Sequence, residues 1–203
     1  MAATKNETWR VFCAIELPSS VREKISEHIT RLRATVPGST ASWVRPDNIH
    51  LTLKFVGEIP SGRVKDLTQA AANTVDGFSP FEILLGDTGA FPTPGTPRVL
   101  WIGVADHSGQ LARLQAKLDE ECLRLGFARE ERVFSPHLTI ARLRKPQGAR
   151  ALATAHKEMG FYSNQMSVRE LTVIRSELSS AGSNYSAISR HTLAETTDQI
   201  RNR

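Results

Sequence analysis

The 203-residue chain predicts a mixed fold of helices and strands built from one unit written twice. Two observations carry this. The stretches "NIHLTLKF" from Asn48 and "SPHLTIAR" from Ser135 share His-Leu-Thr, and their histidines lie 87 positions apart (137 − 50). Each half also reads strand, helix, His-Leu-Thr strand, helix, strand. Arg10-Val11 then matches Arg98-Val99, and Ser20 matches Ser108, at an offset of 88. The length suits one bilobal domain, with repeats of about 9–90 and 97–193.

In the first repeat, "WRVFCAIEL" is a run of apolar residues that reads as a buried strand. Val21, Ile25, Ile29, Leu32 and Val36 recur at helical spacing, with Ser20 and Glu23 forming a capping box and Pro37-Gly38 ending the helix. A strand over about 49–57 carries the first His-Leu-Thr. Val64, Leu67, Ala71 and Val75 mark a second helix, and "FEILL" is a further strand. The loop "GAFPTPGTP", with its three prolines, divides the chain.

The second repeat opens with the buried strand "RVLWIGV". A helix follows, with Leu111, Leu114, Leu118 and Leu125 inward and Gly126 as its stop. "HLTIARL" is the second motif strand, and a helix near 149–159 comes next. "MSVRELTVIRSEL" and "NYSAISRHTL" read as a hairpin through "SSAGS", and "AETTDQIRNR" as a frayed tail.

Composition narrows the function classes. Hydrophobic residues make up 40% and charged residues 23%, ordinary for a soluble protein. No apolar run approaches the roughly 18 residues needed to span a bilayer. "MAATKNETWR" has no apolar core of a secretory signal, so a cytoplasmic protein is expected, with no membrane partner. Cys13 and Cys122 are too few for a disulfide framework or a zinc site, and Cys13 reads as a small core residue. The net charge of +5 resides in residues 91–203, which hold sixteen Lys/Arg against eleven Asp/Glu. Arg142, Arg144, Lys145 and Arg150 cluster just after the second motif, which fits attraction of a phosphate-bearing substrate.

Chance predicts about half a His-x-Thr in a chain of this composition, yet three occur, the third at His28–Thr30. That copy lies in the first helix, where positions two apart point about 200° from each other. It cannot address one ligand. In a strand, i and i+2 share a face, so His50 and Thr52 point one way while Leu51, Leu53 and Phe55 point into the core. His137 and Thr139 likewise oppose Leu138 and Ile140. His107, His156 and His191 sit among polar residues and read as surface groups. Two imidazoles converging on one cleft, each beside a hydroxyl, make an acid–base site without a metal. No HExxH cluster, GxSxG elbow or Walker loop is present, so no metal or other cofactor is expected.

With "RVFCAIELP", "HLTLKFVGE", "SPHLTIARL" and "SELSSAGSNYSAI", the chain resembles the two-histidine phosphoesterase superfamily, and within it the RNA 2′,3′-cyclic phosphodiesterases once called 2′-5′ RNA ligases. The resemblance implies a bilobal α+β fold, each lobe an antiparallel sheet packed with helices, with the active-site cleft between the lobes. It implies His50 as proton donor, His137 as proton acceptor, and Thr52, Thr139 and Arg142 as phosphate ligands. Strict alternation would put Arg142 on the face opposite His137, so its arrival requires a bulge or a twist at the strand end. Tyr185 and Phe55 are weaker candidates for flanking the nucleotide, Phe55 being read chiefly as core. The implied activity is hydrolysis of RNA 2′,3′-cyclic phosphate ends to 2′-phosphates by a monomer. Two alternatives stay open: 2′-5′ end-joining by the reverse reaction, and binding of cyclic ends without turnover.

Overall fold

A computed structural model describes residues 7–162, 164–180 and 182–194; the predicted tail from 195 onward lies outside them. The first half contains β1 (Thr8–Glu16), α1 (Ser19–Thr35), β2 (Ala41–Trp43), β3 (His50–Pro60), α2 (Val64–Val75) and β4 (Phe81–Phe91). The second contains β5 (Val99–Ala105), α3 (Gln110–Arg124), β6 (His137–Leu143), α4 (Ala149–Met159), β7 (Asn164–Val168), β8 (Glu170–Ser179) and β9 (Gly182–Thr192).

Two antiparallel sheets result, ordered β3-β1-β8-β9 and β2-β6-β5-β4-β7. The α+β, two-lobed expectation holds, but the lobes are not the two halves of the chain. Each half keeps its first strand and motif strand together and gives a later strand to the opposite sheet: β4 joins β5, and β8 joins β1. The helices divide the same way. α2 packs on β8 and β9 and against α3, while α4 packs on β4 and against α1. One contiguous apolar core runs through both lobes, with Ile25, Leu32, Leu51, Leu100, Leu114 and Leu138 all at 0% exposure. Each such side chain stabilises the fold by about 1.5–3 kcal/mol relative to exposure. The exchanged strands make neither lobe complete without the other half.

Several local expectations change. β4 runs on to Phe91, so the dividing loop begins at Pro92. "MSVRELTVIRSEL" breaks at Arg169 into β7 and β8, which lie in different sheets. The capping box at Ser20 and Glu23 does not form. Pro18 is the N-cap, and its carbonyl receives the Val21 and Arg22 amides at 3.1 and 3.0 Å. Before α3 the cap is supplied by Asp106, which accepts the Leu111 amide at 2.8 Å.

His156 is not a surface residue: it is 0% exposed. It follows Leu152 by one helical turn on the buried stripe of α4, where its polar sequence neighbours do not determine its direction. Its Nε2–H donates to the Trp101 carbonyl at 2.9 Å, leaving Nδ1 to accept from His28 Nε2 at 3.0 Å. His191 is half-buried, with Nε2 2.9 Å from Ser189 Oγ, and His107 is exposed as expected. His28 thus occupies the α1–α4 interface, while Thr30 faces solvent and bonds the Ser26 carbonyl.

Burial, with His156 and Arg31 nearby, lowers the His28 pKa from 6.5 to about 4. The unfolded chain therefore binds this proton first on acidification. Stability from His28 is fully present above pH 6.5 and is lost as pH falls from 6.5 toward about 4. Thermal melts across that interval should show a falling Tm, and the slope should shrink in His28→Ala.

Candidate active site

The two motif strands pair with their neighbours in one shared register. Glu16 opposes His50, Ile15 opposes Leu51 and Ala14 opposes Thr52; Gly103 opposes His137, Ile102 opposes Leu138 and Trp101 opposes Thr139. Every member of the second set is 87 positions beyond its counterpart in the first (for example 103 − 16). The offset of 88 read from the opening strands is therefore one residue too long.

Both strands then carry a bulge at the same place. Cys13 and Ala14 oppose Lys54 and Thr52, so Leu53 is extra; Leu100 and Trp101 oppose Ala141 and Thr139, so Ile140 is extra. The extra residue inverts the alternation beyond it. In β6 the bulge turns Arg142 to the histidine face, as its proposed role requires. In β3 it turns Lys54 inward and Phe55 outward. Phe55 is thus not a core residue; it is 48% exposed and lines the cleft beneath the Arg10 guanidinium, 4.7 Å from its ring centroid.

A cleft of about 550 Å³ between the sheets is lined by His50, Thr52, His137, Thr139 and Arg142, and also by Tyr185. The structure brings together all five residues singled out from the motifs. Arg10 and Arg45 join Arg142 on the lining, which includes no carboxylate. Two of the three cleft arginines come from the half whose charges balance, and of the predicted basic cluster only Arg142 lines it. A convergence of guanidiniums without counter-charge suits a phosphate.

Each histidine is held in the same tautomer by a carbonyl two residues upstream. His50 Nδ1–H donates to the Asn48 carbonyl at 2.9 Å, and His137 Nδ1–H to the Ser135 carbonyl at 2.7 Å. This leaves Nε2 of each ring for a ligand. His50 stacks on Phe12 with centroids 4.6 Å apart and meets Tyr185 edge-on at 5.3 Å. His137 meets Phe91 edge-on at 5.2 Å. Asn48 Nδ2 and Arg45 Nη2 both donate to the Ser183 carbonyl, at 2.7 and 2.6 Å, tying the β2–β3 connection to β9 at the cleft rim. Burial lowers the His50 pKa below its ordinary value, against the raising influence of the Asn48 carbonyl and Glu16.

Phe12, Arg10, Arg45 and Phe91 were not singled out in the sequence. Phe12 sits in "VFCAI", where both parities are apolar. One parity packs into the main core; the other, Phe12 and Ala14 with Ile174, forms a small cluster under Tyr185 on the cleft side. Only Arg45, five residues before His50, had a usable signal, its proximity to the motif. Cys13 and Cys122 are buried, and burial pushes the Cys122 thiol up to about 11 and Cys13 further, so neither is a thiolate at neutral pH. Among the described residues no group of three or more His, Cys, Asp or Glu could hold a metal ion, and no helix is long and apolar enough to cross a membrane.

Paired histidine–threonine strands from two sheets that exchange strands, lining one cleft with three arginines, define a two-lobed α+β protein. The chain belongs to the 2′-5′ RNA ligase superfamily, whose family model matches residues 21–179. It is 35% identical over 179 residues to the RNA 2′,3′-cyclic phosphodiesterase of Methanothermobacter thermautotrophicus, covering 87% of this chain and 94% of that protein. The RNA 2′,3′-cyclic phosphodiesterase of Thermus thermophilus is 32% identical over 192 residues, covering 91% and 90%. The crystal structure of E. coli LigT complexed with 3′-AMP superposes with a TM-score of 0.73 at 27% identity, covering 93% of this chain and all of that one.

Proposed function

We propose that the chain is an RNA 2′,3′-cyclic phosphodiesterase that opens the ring to a 2′-phosphate without a metal, using His50 as acid and His137 as base. The observation that carries this reading is the matched pair of Nδ1–H-to-carbonyl bonds, which leaves two Nε2 atoms for one cleft. In-line displacement at phosphorus needs a proton removed from the nucleophile and one delivered to the leaving oxygen, on opposite sides. Histidines from different sheets suit that demand. His137 Nε2 takes the proton from water; the P–O3′ bond breaks; His50 Nε2 protonates the departing O3′.

Thr52 and Thr139 hydroxyls and the Arg142 guanidinium hold the non-bridging oxygens as charge builds. Burial lowers the pKa of His50, which acts against the protonated form that an acid needs. An anionic phosphate beside the ring favours the imidazolium, so binding and proton uptake are coupled. The site draws on both halves of a single chain, so a monomer suffices.

Turnover of 2′,3′-cyclic AMP tests this reading. Product should accumulate at the same rate with and without EDTA. Loss of activity in EDTA, restored by a divalent metal, would move the protein to a different mechanism. Binding without turnover would make it a receptor for cyclic ends.

A further inference from the structure

The two histidines share one register, yet the residues facing them across it differ in kind. Opposite His50 on β1 stands Glu16; opposite His137 on β5 stands Gly103. Antiparallel partners present their side chains on one face with Cβ atoms about 4.5–5.5 Å apart, so the Glu16 side chain starts beside the His50 imidazole. His137 has no side chain at the equivalent place. Asp87, which shares a groove with His137, is exposed and lies two strands away at the β4 bulge.

Glu16 is kept apart from the cleft that suits phosphate. It does not line that cleft; it borders a smaller cavity of about 50 Å³ on another side of His50. A carboxylate on the cleft wall would repel phosphate, whereas from this side its charge favours the imidazolium without facing the ligand. Its strand fixes the placement. Ile15 and Leu17 on either side are buried in the main core, and the alternation sends Glu16 to the other face. Arg190 donates to its Oε2 from Nη2 at 2.8 Å and from Nε at 3.1 Å, and the Thr172 hydroxyl adds a bond at 3.3 Å. Thr172 and Arg190 oppose each other across β8 and β9, so two further strands hold this carboxylate.

The other charges around His50 are engaged elsewhere. Asp47, the second carboxylate bordering the small cavity, has a side chain 93% exposed and lies 3.8 Å from Arg22 of α1. Arg45 is tied to Ser183 and Asn184, and Arg10 lies over Phe55. Tyr185 meets the imidazole edge-on, and His137 and Arg142 line the cleft from the other sheet.

We infer that Glu16 is a positioning residue that makes His50 the acid of the pair, and that Arg190 limits how strongly it does so. This rests on the proposed function, in which one histidine donates a proton and the other accepts one. The motifs, the tautomers and the backbone anchors are the same on both sides, so the facing residue is what tells the rings apart. Burial works against the imidazolium of His50, and the Asn48 carbonyl and Glu16 oppose it. Without the Glu16 charge, that opposition weakens and Arg190 adds to the burden on the ring.

Two variants should move in opposite directions. Glu16→Gln keeps an oxygen for Arg190 and Thr172 but removes the charge; Arg190→Gln removes the cation that screens it. Followed by NMR, the His50 ring should titrate at lower pH in Glu16→Gln and at higher pH in Arg190→Gln, with His137 unmoved. With 2′,3′-cyclic AMP, kcat/KM on the alkaline flank relative to the acid flank should fall about fivefold in Glu16→Gln and rise about twofold in Arg190→Gln, modest changes that suit half-exposed charges. A His50 ring that titrates alike in wild type and both variants overturns the inference. So does an unchanged ratio between the flanks, with or without a uniform loss of rate, which is all that a structural role would give. A wild type inert toward cyclic AMP would instead remove the proposed function, and the NMR titration would still decide what Glu16 does to His50.

Discussion

His50→Ala and His137→Ala each lower turnover of a 2′,3′-cyclic nucleotide by about 10²-fold or more, as expected for the loss of a general acid or base. Both rings are half-buried at the cleft and neither belongs to the main apolar core, so folding survives the truncation. The two losses are not additive, because the residues act in one transition state; the double variant falls little below the worse single one. His28→Ala provides the contrast. Its ring lies at the α1–α4 interface, and its removal leaves fully buried His156 Nδ1 without a donor. The cost is about 1–3 kcal/mol of stability, with turnover per folded molecule close to wild type. Steady-state rates beside denaturant midpoints separate these outcomes. A His28→Ala rate as low as that of the cleft variants would break the assignment of the site.

Lys54→Met destabilises the protein by about 3–5 kcal/mol, the usual cost of removing one partner from a buried ion pair. The Lys54 side chain is 3% exposed, and its ammonium bonds Asp119 Oδ1 and the Ala128 carbonyl. Although burial raises the Asp119 pKa, Lys54 and the Glu130 amide hold the carboxyl below its ordinary range. The methionine matches the stem but takes the ammonium from that carboxylate, leaving it the Glu130 amide at 3.0 Å and the more exposed Arg129 at 3.9 Å. The pair joins β3 to α3 one residue beyond the Leu53 bulge, so it fixes the inversion that sends Phe55 outward. Denaturation midpoints measure the loss, and Lys54→Met with Asp119→Leu should recover much of it, since apolar replacement of both partners relieves the buried charge. No recovery would mean that the bulge needs the ion pair itself.

The motif strands were legible because a strand's own period places His and Thr on one face and Leu on the other. Helix faces were legible for the same reason: the Val21–Ile25–Ile29–Leu32 stripe is buried as read. What failed was whatever depends on a partner. The exchange of β4 and β8 leaves no mark on either strand, since periodicity names a face and not a neighbour. Phe55 went to the wrong face because counting by twos assumes an unbroken ladder, and Leu53 breaks it. In β6 a bulge was one of the two ways, with a twist at the strand end, by which Arg142 could reach the cleft, and the bulge is what forms. His156 was misread from its polar neighbours, when Leu152, one turn earlier, set its direction. Arg10 and Phe12 belong to the cleft through β1, whose near-uniform apolar run hides which parity faces the site.

The identity of the product tests the central claim most directly. If His50 protonates O3′ while His137 activates water, 2′,3′-cyclic AMP must yield adenosine 2′-phosphate, resolved from its isomer by chromatography. Adenosine 3′-phosphate would mean that the P–O2′ bond breaks, and the proposed orientation of substrate between the two histidines would be contradicted.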